Sequence, residues 1–283
     1  MITIIILIFI TFFLYLNTKT RENFKFKNNF FKLVVTTYNS EEYIEKCLKS
    51  IQSQQYKNYH VCVVDDASTK KRDYIRNIIQ KYCKKNNWNY IFQNQNLGPL
   101  ESRINAINKL KCCNDDILVF IDGDDQLSNN KVLDILNNYY QEDIYVTFGS
   151  YLNSYNNIKS KPKIKCIDNL NSLIKLGYTR KRWLFSHLKT MKYFIYKHIN
   201  HEKSLKINGR YFRSATDMAL MYPAIELAGY KIKCIPEVLY YYTLDHPESF
   251  HNNTNIEKKN SQRKNSKIIR QMPKYKSLFY DLI

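Results

Sequence analysis

The chain has 283 residues, enough for one sizeable α/β domain with a real core. Its composition is globular: 44% hydrophobic, 24% charged, with only 6 Gly and 6 Pro. A net charge of +19 favours anionic partners such as nucleic acid, acidic lipid surfaces or phosphorylated small molecules, and 7 scattered cysteines without a C-x-x-C pair argue for mostly reduced thiols and against a disulfide framework.

Residues 1–16 carry no charged side chain and are apolar apart from Thr3, Thr11 and the Tyr15 hydroxyl. A membrane-spanning helix needs about 20 residues, with about 17 as the lower limit, and the run reaches that limit only through Asn17 and Thr18. No small-residue cleavage site follows, so residues 1–18 are expected to form an uncleaved, single-pass signal-anchor in a membrane. A signal h-region or an N-terminal core strand is the alternative. Lys19, Arg21, Lys25 and Lys27 would keep the following domain cytosolic by the positive-inside tendency, whereas a lumenal catalytic domain runs against it. The side of the membrane therefore stays open. Residues 19–31 read as a basic stem whose Phe24, Phe26, Phe30 and Phe31 lie on a surface.

The folded domain is expected over residues 32–251, with its first half ending at Tyr151. Lys32 to Thr37 predicts a short strand, broken by Tyr38-Asn39-Ser40. Ser40 suits a helix N-cap, Glu41 and Glu42 suit the first turn, and Ile44, Cys47, Leu48 and Ile51 recur at helical spacing to about Gln54. Val61 to Val64 predict a second strand that ends in Asp65-Asp66. A helix over 72–84, a strand over 88–93 and a helix over 100–110 follow. Ile117 to Ile121 then give five apolar residues, three of them β-branched, which suit a strand buried on both faces. This strand runs into Asp122-Gly123-Asp124-Asp125, where Gly123 permits a sharp turn. The β-α-β-α-β order implies a doubly wound, mostly parallel sheet. Right-handed crossovers bring the carboxyl ends of the first, second and central strands to one edge.

Three polar clusters meet at that edge: Thr36-Thr37-Tyr38-Asn39, Asp65-Asp66 and Asp122-Gly123-Asp124-Asp125. Ligands of open α/β sheets bind there. Carboxylates this close repel one another unless a cation or a hydrogen-bond network absorbs the charge. A hard divalent cation takes oxygen ligands, and a diphosphate can complete its shell. The plainer reading of the central stretch is a solvated Asp-Gly turn with helix caps. Neither G-x-G-x-x-G nor G-x-x-x-x-G-K-[ST] is present.

Val34 to Asn39, Val63 to Ser68, Asn96-Leu97-Gly98 with Arg103 and Asn105, and Phe120 to Asp125 resemble, in order and spacing, family-2 glycosyltransferases of the GT-A fold. The resemblance covers residues 32–151 strongly and continues less tightly to about His251. It implies a nucleotide-diphospho-sugar transferase-like sheet, a nucleotide-sugar donor that is foremost UDP-linked, and Mn2+ or Mg2+. It implies that Thr36, Tyr38, Asn39, Asp65 and Asp66 belong to the nucleotide-sugar pocket, with Asp66 near the base. Arg103 would sit by the base or the diphosphate. Asp122 would face the ribose and join Asp124 at the metal. Each Asp could instead be a turn or cap carboxylate.

Ile144 to Tyr151 predicts a further strand and Ser154 to Lys165 a polar, lysine-rich loop. Trp183 to Thr190 resembles a Trp-x-x-Ser-His-Leu-(Arg/Lys)-Thr segment that borders the acceptor in one branch of these enzymes. Trp183 could then stack on a sugar, Lys189 could meet phosphate, and His187 would lie on the same side. A core Trp and a satisfied His are the plainer alternatives. A buried helix is expected from Thr216, through Met218, Leu220, Met221, Ile225 and Leu227. The family places Glu-Asp at its start, the Asp acting as general base on the acceptor hydroxyl. Here Thr216 replaces the Glu and Asp217 keeps the acid, which could also be only a cap. Ile232 to Ile235 and Val238 to Thr243 predict late strands. His246 and His251 follow, and a His there is a metal ligand in some GT-A enzymes. The sequon Asn252-Asn253-Thr254 matters only on a lumenal face. Residues 252–283 read as a basic tail with a solvated surface helix from Glu257.

The expected function is inverting, metal-dependent transfer of a sugar from a nucleotide-sugar to a hydroxyl of a glycan, lipid-linked or protein acceptor, with no nucleic-acid partner. Three rivals remain. Thr216 in place of Glu allows a catalytically inactive scaffold. The charge and interleaved aromatics allow a basic nucleic-acid-binding protein. A nucleotidyltransferase would share the sheet, but a Gly-rich, Lys/Arg-bearing loop after the first strand is missing.

Overall fold

The computed structural model describes residues 26–155, 158–159, 179–246 and 256–279, with positions 166, 172, 174 and 177 between them. The first half alternates strand and helix: β1 (Phe31–Thr37), α1 (Ile44–Gln52), β2 (Tyr59–Asp65), α2 (Arg72–Asn86), β3 (Asn89–Phe92), α3 (Pro99–Leu110), β4 (Ile117–Asp122), β5 (Gln126–Leu127) and α4 (Val132–Tyr139). The second half is more irregular: β6 (Val146–Tyr155), β7 (Ile158–Lys159), β8 (Lys189–Lys192), α5 (Tyr193–Tyr196), α6 (His201–Ser204), β9 (Lys206–Ile207), β10 (Arg210–Tyr211), α7 (Thr216–Ala228), β11 (Ile232–Thr243) and α8 (Ile256–Gln271).

The sheet runs β3-β2-β1-β4-β8-β6-β11-β5, with β7 on β6. β1, β2, β3 and β4 are parallel, as are β6 and β11, whereas β8 is antiparallel to both β4 and β6. Side chains alternate across this sheet. Leu33 and Val35 of β1 and Val119 and Ile121 of β4 pack with Ile44, Leu48 and Ile51 of α1. Val34, Leu118 and Phe120 pack on the other face with Leu100, Ile104 and Ile107 of α3 and the apolar length of α7. A near-continuous apolar run is what a strand covered on both sides requires.

Several expectations change. Ser40 does not cap through its side chain. Its carbonyl accepts from the Tyr43 and Ile44 amides, and α1 begins only at Ile44. Phe31, assigned to the stem, opens β1 and is fully buried. The two late strands are one, β11, with register breaks between Ile235, Val238 and Tyr240, where Pro236 offers no N–H to the ladder. The C-terminal helix is not simply solvated: Ile269 is buried, and the Arg180 guanidinium donates to the Ile269 and Met272 carbonyls at 2.8 Å each. Cys166 and Cys234, 68 residues apart, form a disulfide, while Cys47, Cys62, Cys83, Cys112 and Cys113 are free.

The single-pass membrane anchor is also corrected. Among the described residues no helix is long and apolar enough to cross a membrane. The stretch 1–18 lies outside the described residues, and its uncharged run falls short of about 20 residues. His251 and the sequon at 252–254 likewise lie outside the described residues.

Candidate active site

Parallel register builds the site. Thr36 of β1 lies level with Val64 of β2 and Asp122 of β4. The residues just beyond, Thr37-Tyr38, Asp65-Asp66 and Gly123-Asp124, therefore leave the sheet at one edge. Gly123 donates its amide to the Thr36 carbonyl at 2.8 Å, and a Cβ on it would lie 2.5 Å from the Thr37 Cβ. Close approach of two chain segments, rather than an unusual φ, is what requires glycine here.

A cleft of about 640 Å3 opens at this edge. Thr36, Tyr38, Asp66, Arg103 and Asp122 line it on the expected donor side, together with Asp124, His187 and Asp217. Four sequence-predicted residues do not line it. Asp65 is wholly buried, accepting from Arg76 Nε at 2.9 Å and from the Ser68 amide at 3.1 Å. Asn39 adopts φ 51° and uses its side-chain oxygen to accept from the Thr69 and Lys70 amides, tying the loop after β1 to the loop after β2. Trp183 packs edge-on against Phe185 and Tyr222. Lys189, buried in β8, reaches the site through Asp217 instead.

Asp66 fixes the entry to α3. Its two oxygens accept from the Leu97 amide at 2.7 Å and the Gly98 amide at 2.8 Å. Burial raises its carboxyl above the usual range, and these amides partly offset that. Gly98 has φ 92°, a conformation that favours glycine, and Pro99 follows as the first residue of α3. One turn on, Arg103 is buried and its guanidinium bridges two carboxylates: Nη2 to Asp122 Oδ1 at 2.7 Å and Nη1 to Asp217 Oδ1 at 2.8 Å. Lys189 Nζ donates to Asp217 Oδ2 at 2.6 Å. Two cations and two carboxylates thus form one charge-balanced chain. Burial alone would raise both acids, but Arg103 and Lys189 hold Asp122 and, further still, Asp217 below the usual carboxylate range. Asp217 is the second residue of α7, which follows Ala215 in a left-handed conformation at φ 55°. That conformation costs a non-glycine residue about 1 kcal/mol.

The remaining acids behave oppositely. Burial and the Asp122 charge push Asp124 up to about 6. Burial, with the Asp124 and Asp122 charges, raises Asp125 well above the usual range. Asp125 Oδ1 accepts from the Thr243 amide, but its buried Oδ2 has no hydrogen-bond partner, and neither does His187 Nδ1. Asp122, Asp125 and His187 each offer a ligand atom within 4.8 Å of the others. Burial and the Lys189 charge lower His187 to about 3, so its imidazole is neutral, the form that ligates a metal. His246 Nε2 lies 3.0 Å from the Asn39 carbonyl, and its Nδ1 lies 3.7 Å from Asp124 Oδ2. A ring whose far nitrogen is held by a backbone carbonyl is pre-oriented as a ligand. Orphaned buried atoms and an oxygen-rich donor set with imidazole fit a divalent cation such as manganese or magnesium. Of the donors, Asp125 counted in the sequence only as one of the crowded carboxylates, not as a ligand, and its buried position in the turn sets it beside Asp122 and His187.

Arg213, Thr216, Tyr242, Lys258 and Ser261 also line the cleft and were not singled out for it. They come from the second half, outside the three polar clusters that marked the sheet edge in the sequence.

Residues 32–204 match the glycosyl transferase family 2 model. An uncharacterized glycosyltransferase of Haemophilus influenzae is 31% identical over 120 residues, 42% of this chain and 46% of that protein. The poly(ribitol-phosphate) beta-N-acetylglucosaminyltransferase TarS of Staphylococcus aureus is 34% identical over 107 residues, 37% of this chain and 18% of TarS. These alignments span less than half the length of either relative. The crystal structure of TarS residues 1–349 in complex with UDP superposes with a TM-score of 0.56 at 25% identity, covering 76% of this chain and 60% of that one. The mannosyltransferase PcManGT of Pyrobaculum calidifontis, solved with GDP-Man and Mn2+, is 16% identical with a TM-score of 0.50 and covers 78% and 58% of the two chains, sharing the fold alone. The sheet is GT-A-like, and the chain belongs to glycosyl transferase family 2.

Proposed function

We propose that the chain is an inverting glycosyltransferase that moves a sugar from a UDP-linked donor to an acceptor hydroxyl, with a divalent cation at the acidic cluster. The observation that carries this reading is the meeting of Thr36, Asp66, Arg103, Asp122, Asp124 and Asp217, from separate elements, around one cleft. TarS, solved with UDP, supplies the class of donor. Thr36, Tyr38 and Asp66 would face the nucleoside. Asp124, His246, Asp122 and Asp125 would hold the cation, with His187 beside them. When bound, the cation would offset charge on the departing diphosphate.

Asp217 would be the general base. In the free chain it is a weak one, because Lys189 and Arg103 stabilise its charged form. A donor diphosphate would compete for Arg103, the one of these two cations that lines the cleft, and drawing that ion pair away would raise the basicity of Asp217. The base would thus strengthen once the donor is seated, which protects the site from idle proton transfer. The acceptor hydroxyl must come within about 2.6–3.2 Å of the carboxylate.

The test is UDP release from UDP-sugars in the presence of manganese and a panel of hydroxyl acceptors. Asp217→Asn, near in shape but unable to take the proton, is expected to lower turnover by about 100-fold or more while donor KM does not rise. Wild-type turnover in that variant removes Asp217 as the base.

A further inference from the structure

The C-terminal helix α8 contacts Ala215, the left-handed residue two positions before Asp217. Ala215, at φ 55°, has no side-chain cap for the helix it opens. Its amide instead donates to Gln262 Oε1 of α8 at 3.0 Å. The adjacent Ser214 hydroxyl lies 3.0 Å from the Ser261 hydroxyl and accepts from Asn265 Nδ2 at 2.8 Å. Three successive contacts from one helix thus hold the two residues before α7.

At its other end α8 is clamped to the same partner. Arg180 and Glu226 form a buried ion pair, Nε to Oε1 at 2.6 Å and Nη2 to Oε2 at 2.7 Å. Glu226 belongs to α7, while Arg180 also donates to the Ile269 and Met272 carbonyls at the end of α8. The Tyr275 amide beyond α8 donates to Glu226 Oε2 at 3.1 Å. Helix α7 is therefore braced at its start by α8 directly and near its end through Arg180 and the segment that follows α8. The matched family segment ends at residue 204, so neither α7 nor α8 falls within it.

We propose that α8 is a working wall of the active site and that Gln262 is a positioning residue for Asp217. Ser261 and Lys258, on the same helix, already face the cleft. A left-handed alanine relaxes toward other conformations when its amide is released. That relaxation would swing the first turn of α7 and move the Asp217 carboxylate off Lys189 and Arg103. The donor pocket, built from β1, β2, α3 and β4, would not move. The inference rests on Asp217 being the base, and its test separates the two.

Gln262→Met keeps length and removes the acceptor, whereas Gln262→Glu restores an acceptor oxygen. Two readouts are compared in the full-length chain. The first is hydrogen exchange over residues 214–218, which needs no substrate. The second is kcat and donor KM for UDP release, measured with UDP-glucose, UDP-galactose and UDP-N-acetylglucosamine. Gln262→Met is expected to speed exchange by about 10-fold and lower kcat by a similar factor, with donor KM no higher and the melting temperature nearly unchanged. Gln262→Glu is expected to recover most of both. Wild-type exchange and kcat in Gln262→Met, or no recovery in Gln262→Glu, overturns the proposal. Fast exchange in Gln262→Met with no turnover even in the wild type keeps the brace and sinks the transfer reading instead.

Discussion

Asp65 and Asp66 are neighbours in sequence and differ in everything they touch. Asp65 turns into the protein and pairs with Arg76, whereas Asp66 turns to the cleft and grips the Leu97 and Gly98 amides. Asp65→Asn is expected to lower stability by about 1.5–3 kcal/mol, the range for a hydrogen bond to a charged group. Donor affinity of the folded fraction should stay at the wild-type value. Urea denaturation and a UDP titration check the two halves of that statement, and lost affinity with intact stability would contradict it. The Asp pair was legible in the sequence, but its division of labour was not. Consecutive side chains at a strand end point to opposite faces, and only the position of Arg76 on α2 decides which acid it meets. Trp183 is a similar case. Its aromatic ring suits a sugar, yet it packs at a steep angle against Phe185 and Tyr222 and does not line the cleft.

Elements were legible where hydrophobic periodicity drives them. β1, α1, β2, α2, α3 and β4 sit close to their expected positions because each buries an apolar face in one of the two cores. β8 was not legible, since Lys-Thr-Met-Lys has no strand-like apolar pattern. It is buried because Lys189 finds Asp217 and Lys192 lies 4.1 Å from the Tyr145 ring centroid. α8 was read as solvated for the same reason. Its docking runs through Gln262, Asn265 and backbone carbonyls, with Ile269 its one buried apolar side chain, too little to mark an apolar period. The junction of β4 with its acidic turn gives a prediction at this scale. Gly123→Ala places a Cβ against the Thr37 side chain, which is expected to cost about 1–3 kcal/mol. It should also displace Asp122 and Asp124 together, so metal-dependent UDP affinity should fall along with the melting temperature. A stable variant with unchanged affinity would show that the turn tolerates the side chain.

At the scale of the whole molecule, the first half supplies one edge of the cleft and the second half folds back to complete it. Asp217 on α7, His246 after β11 and Ser261 on α8 reach a cleft whose floor is set by β1 and β4. The Cys166–Cys234 disulfide ties the chain ahead of β8 to β11, a pairing no spacing pattern announces across 68 residues. The net charge of +19 suits anionic ligands in general and selects none of them. The central claim is therefore best tested at the acidic cluster. The measurement is calorimetric titration of UDP and UDP-sugars into the chain at pH 7, with and without manganese, in the wild type and in Asp124→Asn. Asp124 is raised only to about 6, so most of it is ionised at pH 7. The expected result is binding that requires manganese in the wild type and weakens by about 10-fold or more in Asp124→Asn, a loss of about 1.4 kcal/mol. Absence of nucleotide binding by the folded wild type under either condition would contradict the account, and the carboxylates would then be only turn and cap residues.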